Sequence, residues 1–178
     1  MQIRDERVSD RDAVGALQRT AFGAGEHGDT VARLVDALRR DDPAALSLVA
    51  DEAGEVVGHV MFSRALVDAP QRLVEVRSLS PLGVAPQWQR RGVGSALIRA
   101  GLERLDGSGV PLVFLEGDPA YYSRAGFSAA VEHDFRKPSL RIPDAAFQVM
   151  KLSAYESWMT GTFVYAHTFW DYDCVGRR

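Results

Sequence analysis

The stretch QRRGVGSAL, Gln89 to Leu97, decides the fold. It follows a run of strand character, RLVEVRSLSPLGVAP, and leads into apolar residues at helical spacing, Val93, Leu97, Ile98, Leu102 and Leu105. A strand feeding a glycine turn that opens a helix leaves the first backbone N–H groups of that helix without helical partners, at the positive end of its dipole. Phosphate is the natural guest there. Gly92 and Gly94 lack the side chains that hold a ligand off the backbone, and Arg90 and Arg91 add cationic reach. The spacing is neither G-x-x-x-x-G-K-[ST] nor G-x-G-x-x-G, which argues against a triphosphate loop and a dinucleotide fingerprint. By itself the turn reads equally well as an anion cradle or as a tight helix start with solvent-facing arginines.

Upstream, MQIRDER alternates weakly, as a short edge strand does. Ser9 is placed to cap a helix over Asp10 to Phe22, with Asp10 and Asp12 in its first turn. GAGEHGD breaks that helix, and Val31, Leu34, Val35 and Leu38 mark a second one ending before DDP. ALSLVADEAGEVVGHVMFSRALVD is a hairpin turning near Gly54. Pro81 falls inside the strand that follows; since proline cannot donate to a ladder, that strand is an edge or bulges away from its neighbour.

Downstream, VPLVFLEG is apolar on both faces and belongs inside a sheet. DPAYYSRAG is a short helix capped by Asp118, with Pro119 at its first position and Gly126 at its end. FQVMKL and GTFVYA are further strands. The tail carries seven aromatic residues from Tyr155 to Tyr172 that suit a pocket wall, core packing or a dimer contact. The order of strand, two helices, three strands, helix, strand, short helix and strands gives an α/β (α+β) domain, a mixed sheet covered by helices, spanning residues 1–178.

The chain has 178 residues, 46% hydrophobic and 25% charged, the composition of an ordinary soluble globular protein. A net charge of −3 offers no basic face for a nucleic-acid backbone, so no nucleic-acid partner is expected. No segment has the length of apolar sequence that spans a bilayer, and the N-terminus lacks a secretion signal, so no membrane association is expected. Cys174 is the single cysteine, which excludes an internal disulfide and a four-cysteine zinc site and suits a reducing cytoplasm. No metal is expected.

Set together, SPLGVAPQWQRRGVGSALIRAGLERL and EGDPAYYSRAGFSAA resemble the GNAT superfamily of acyl-CoA-dependent N-acyltransferases. Gln89, Gly92 and Gly94 match its [Q/R]-x-x-G-x-[G/A] signature, and Tyr122 to Phe127 match its Tyr-x-x-x-Gly-Phe landmark. The resemblance implies a twisted, mostly antiparallel mixed sheet of six to eight strands, flanked by about four helices and splayed between the fourth and fifth strands. It implies acetyl-CoA as acyl donor and a primary amine, small-molecule or peptide, as acceptor, joined by direct attack through a tetrahedral intermediate. The pyrophosphate is expected on the backbone of Gln89, Arg90, Arg91, Gly92, Val93, Gly94 and Ser95. Leu82, Gly83 and Val84 are expected to offer backbone groups to the pantetheine arm and an N–H to the oxyanion.

Tyr122 matches the family's tyrosine beside the sulfur, the general acid or a hydrogen-bond donor to the thiolate. Some members carry a glutamate where this chain has Ser78 and Ser80, with Glu75 farther back. A water chain to solvent is therefore expected in place of a dedicated carboxylate base. Glu26 and His27 in the loop between the first helices are candidates for holding the acceptor amine. Small members are often dimers, so a homodimer is an expectation. The competing reading is an acyl-CoA-binding regulatory or interaction module without turnover.

Overall fold

In the computed structural model, which describes residues 1–176, β1 (Gln2–Asp5) pairs antiparallel with β2 (Leu46–Glu52). Packing divides the chain into two compact units, Met1–Ser63 with Ser80–Gly101, and Arg64–Leu79 with the described residues from Leu102 onward. The strands β3 (Glu55–Asp68) and β4 (Leu73–Val84) and the helix α3 (Val93–Gly107) run through both.

In the first unit β2 turns into β3 through Ala53 and Gly54, at φ of 51° and 90°. Two positive φ values give a two-residue loop the twist its strands need, and Asp51 Oδ1 accepts the Gly54 N–H at 2.8 Å. Hydrogen bonding orders the strands β1, β2, β3, β4, and β1 is the edge its weak alternation predicts.

The helix α1 (Arg11–Ala21) buries Val14 and Leu17, and α2 (Glu26–Asp41) buries Val31, Leu34, Val35 and Leu38, the residues whose spacing marks it. Two local expectations are corrected. Ser9 caps nothing; it is exposed in a 3-10 turn over Val8–Asp10, and the anchor is Asp10. Arg4 explains the change: its guanidinium holds Asp10 at 2.7 and 3.1 Å and Asp51 at 2.8 and 2.9 Å, drawing the Asp10 carboxylate inward, where it also accepts the Arg7 N–H. The second correction is that Glu26 and His27 are not in a loop. Gly25, at φ 124°, ends the break, and α2 begins at Glu26.

The interior of this unit holds a polar chain among its apolar residues. His59, fully buried in β3, contacts Gln18 Nε2 through Nδ1 at 2.7 Å and Ser47 Oγ through Nε2 at 2.9 Å. Ser47 in turn donates to Glu6 at 2.6 Å, and Arg39 closes the chain on Glu6. Burial, with a smaller push from the Arg39 charge, lowers His59 from 6.5 to about 3.

Between pH 6.5 and about 3 the unfolded chain carries a proton on this ring and the folded chain does not, so stability rises with pH across that window. Below pH 6.5 this group alone is expected to remove about 1.4 kcal/mol per pH unit. Denaturant melts of wild type and His59→Asn at successive pH values check it. The variant is less stable at neutral pH but has the flatter profile; parallel profiles refute the assignment.

In the second unit β5 (Leu112–Glu116) runs parallel to β4 and antiparallel to β8 (Phe147–Lys151), and β6 (Ser128–Ala129) lies beyond β8. β9 (Gly161–Val164) pairs with the end of β3, and β7 (Phe135–Arg136) with β9. Most of these ladders are antiparallel, as expected, and the described strands number nine because β6 and β7 are two-residue pairings invisible in sequence.

Phe114, Phe135, Phe147 and Phe163 pack ring on ring, with centroids 4.5 to 5.8 Å apart, and Tyr165 and Phe169 extend the cluster. Three of the seven tail aromatics, Phe163, Tyr165 and Phe169, are thus core. α4 (Pro119–Tyr122) is capped as read, Asp118 Oδ1 accepting the Ala120 N–H at 2.9 Å. The terminal α5 (His167–Asp171) was not anticipated.

The β4–β5 ladder has two pairs, Arg77 with Val113 and Ser78 with Phe114. This short ladder is where the splay was expected. Along β4 the buried residues are Val74, Val76 and Ser78, then Leu79, Pro81 and Gly83. The alternation changes phase just before Pro81, as a strand does where regular pairing is interrupted.

Candidate active site

The end of β4 passes through a 3-10 turn at Pro86–Trp88 into the glycine turn and α3. Gln89 ties the two together, its Nε2 donating to the Val84 carbonyl at 3.1 Å. Arg90 and Gly92 both sit in the left-handed region, at φ of 59° and 83°. For arginine that conformation costs on the order of 1 kcal/mol, so the turn is held in a specific shape. Gly92 accepts it freely, and nothing lies within 4 Å of where its Cβ would stand.

The first helical bond here runs from the Ala96 N–H to the Gly92 carbonyl. The N–H groups of Val93, Gly94 and Ser95 therefore precede the α3 ladder. Gln89 to Gly92 and Ser95 are exposed, whereas Val93 and Gly94 are buried. The turn thus presents an exposed rim on a fixed base, and the Arg91 guanidinium lies 5.3 Å over the Trp88 ring. An anionic group fits this donor set, which combines backbone amides, a helix terminus and two arginines. Trp88 was not singled out in the sequence, though an aromatic residue just before QRR was there to be read.

Behind the cradle, Leu82 and Val84 are half-buried and Gly83 is buried. A Cβ on Gly83 would stand 2.5 Å from Gln18 Oε1 and 3.0 Å from Leu17 Cδ2, so a side chain there requires Gln18 to move. Gln18 is a residue the sequence reading missed. A polar position beside Leu17 in an amphipathic helix reads as solvent-facing, yet it is fully buried.

In the second unit the Tyr122 ring fills the space beside Gly117, where no Cβ could be accommodated, and meets Tyr121 and Phe127 edge-on at 4.9 and 6.0 Å. Gly117 is the other missed residue. Burial, and to a smaller degree Tyr121, pushes the Tyr122 phenol well above its ordinary value. The hydroxyl is therefore a hydrogen-bond donor at any physiological pH.

Among the alternatives for a base, Glu75 is held by Arg64 at 3.0 Å and Arg77 at 2.8 Å. Ser78 is fully buried, with the Tyr165 hydroxyl beside it. Glu116 is raised by burial and accepts the Gly176 N–H at 3.0 and 3.2 Å.

Glu26 and His27 are exposed on the first turn of α2, and His27 meets Phe22 edge-on at 5.8 Å. Among the described residues no group of three His, Cys, Asp or Glu side chains gathers as metal ligands, and no helix is long and apolar enough to cross a membrane.

Residues 2–130 match the family model of the acetyltransferase (GNAT) domain. The chain belongs to the GNAT acetyltransferase family. It is 38% identical over 156 residues to the uncharacterized N-acetyltransferase YhbS of Escherichia coli (strain K12), covering 86% of this chain and 88% of that one. To YjhQ of the same organism it is 34% identical over 158 residues, covering 86% and 85%.

Among solved structures, Escherichia coli YhbS in complex with CoA superposes with a TM-score of 0.82 at 34% identity, covering 94% of this chain and 91% of that chain. A GNAT acetyltransferase from Brucella melitensis in complex with acetyl-CoA superposes with a TM-score of 0.75 at 32% identity, covering 94% and 97%. This GNAT protein is accordingly an acyltransferase with the mixed sheet that its sequence implied.

Proposed function

We propose that the protein transfers an acetyl group from acetyl-CoA to a primary amine. The observation that carries this reading is the left-handed turn at Arg90 and Gly92, which opens α3 with the Val93, Gly94 and Ser95 amides and an exposed rim. Relatives of the same fold, solved with CoA and acetyl-CoA, support it. Backbone groups from Gln89 to Ser95 hold the pyrophosphate, with Arg90 and Arg91 adding charge.

Leu82, Gly83 and Val84 supply the strand edge for the pantetheine amides and one N–H to the thioester oxygen, where negative charge develops as the amine attacks. The amine arrives without its proton, which leaves through water, since Ser78 and Ser80 carry no carboxylate. Tyr122 donates a hydrogen bond to the departing sulfur. Glu26 and His27 hold the acceptor amine. On this reading the enzyme acts in a reducing cytoplasm, which its single cysteine suits, on a small-molecule or peptide amine as a monomer or homodimer, without metal, nucleic acid or membrane.

The second reading, an acyl-CoA-binding module without turnover, is favoured by one feature, the absent carboxylate on β4. Thiol release from acetyl-CoA across polyamines, aminoglycosides, amino acids, peptide N-termini and lysine peptides separates the two. An acceptor-dependent rate with one class is the expected outcome. Binding of acetyl-CoA with no release from any class assigns the chain to the module.

A further inference from the structure

The structure assigns Gln18 a role in positioning the reacting segment of β4: its carboxamide, locked in one orientation by the chain that runs from buried His59 through Ser47 to Glu6, sets the depth of Leu82–Val84 by standing where Gly83 has no side chain. This inference rests on the acetyl-transfer reading, which gives that segment its contacts to the thioester.

The orientation follows from donor counting. Gln18 Nε2 can only donate, so His59 Nδ1, 2.7 Å away, is the acceptor and the ring proton is on Nε2. That proton goes to Ser47 Oγ at 2.9 Å, leaving the Ser47 hydroxyl hydrogen for Glu6 Oε2 at 2.6 Å. Arg39 donates to the same carboxylate from its Nε at 3.3 Å and from a second guanidinium nitrogen. Every bond runs toward the Glu6 carboxylate. Turning the Gln18 amide over would put Oε1 against the bare Nδ1, or move the ring proton and strip Glu6 of the Ser47 hydrogen.

The locked amide leaves Oε1 buried without a hydrogen-bond partner among the described residues. That oxygen lies 2.5 Å, and Cδ 3.0 Å, from the place a Gly83 Cβ would take. The hydrogen Gly83 carries instead of a Cβ faces a lone pair, a weak but directional contact. A buried unpaired amide oxygen is unfavourable and persists only where its surroundings over-determine it. Here the over-determination is the chain to Arg39, and what it fixes is the back of β4 at the residue between Leu82 and Val84. Proton relay is not the role, since a carboxamide neither gives up its N–H protons nor takes one on at nitrogen in water.

Acetyl-CoA binding measured by calorimetry tests the inference without knowledge of the amine, with thermal midpoints recorded alongside. Gly83→Ala is expected to weaken binding by about tenfold or more, because the new methyl and the locked amide cannot share the space. Gln18→Ala vacates it, so Gly83→Ala combined with Gln18→Ala binds within about threefold of Gln18→Ala alone. Gln18→Met keeps the bulk and gives no such relief. A Gly83→Ala variant that binds as wild type does, or a loss undiminished by Gln18→Ala, overturns the inference.

Should Gly83→Ala fail to fold, His59→Leu carries the test, weakening acetyl-CoA binding about fivefold by freeing the amide. Wild-type affinity in that variant is the overturning result. Failure of the wild-type protein to bind acetyl-CoA overturns the acetyl-transfer reading itself, whereas wild-type binding without relief in the double variant overturns the role of Gln18 alone.

Discussion

Gly92→Asp is expected to abolish acetyl-CoA binding in calorimetry while the protein stays folded. The residue has φ of 83° and nothing within 4 Å of a new Cβ, so a side chain meets open space and the structural cost is confined to the backbone. Aspartate and asparagine enter the left-handed region more readily than other side chains, which limits that cost to on the order of 1 kcal/mol. The carboxylate would then stand at the mouth of the cradle. At about 5 Å from a pyrophosphate charge and an effective dielectric constant near 20, repulsion amounts to about 3 kcal/mol per charge pair, more than a hundredfold in affinity.

Gly92→Asn separates charge from shape, because it has the same backbone demand and similar volume. It is expected to retain binding within about tenfold of wild type, with a thermal midpoint matching that of the aspartate variant. Equal affinities for the two variants refute the pyrophosphate assignment.

The cradle was legible because its chemistry is local. A glycine turn between a strand and a helix is written in consecutive residues, and the cap at Asp118 with Pro119 is likewise a short-range pattern. The hairpin at Ala53 and Gly54 and the apolar faces of α1 and α2 were legible for the same reason. What escaped is set by contacts remote in sequence. Gln18 reads as a surface residue until His59, far along the chain, takes its amide. Gly117 reads as a loop glycine until the Tyr122 ring occupies its side-chain space. Ser9 was read as a cap because serine is a common one, but Arg4 and Asp51 outbid it by drawing Asp10 inward. The strands β6 and β7, each two residues long, carry too little sequence to show any alternation.

Tyr122→Phe is expected to lower kcat about 10- to 100-fold and to leave acetyl-CoA affinity within about threefold of wild type. The ring is held by Gly117, Tyr121 and Phe127, contacts that phenylalanine keeps, so neither fold nor cofactor site loses packing. What disappears is one hydroxyl. With its phenol raised further by burial, Tyr122 is a poorer proton donor than a free tyrosine, and full transfer to a thiolate whose thiol has a pKa of about 8.5 is uphill.

A hydrogen bond to the charged sulfur needs no transfer, and bonds to charged groups are worth about 1.5–3 kcal/mol, which matches the expected loss in rate. The pH profile distinguishes the two roles. Because the raised phenol does not ionise below about pH 10, the wild-type rate should show no falling limb from Tyr122 on the alkaline side, and the phenylalanine variant should keep the same profile at a lower level. A wild-type rate that falls between about pH 8 and 10, with that limb missing in Tyr122→Phe, would make the residue a true acid with a lowered pKa. An unchanged kcat would leave it a packing residue of α4.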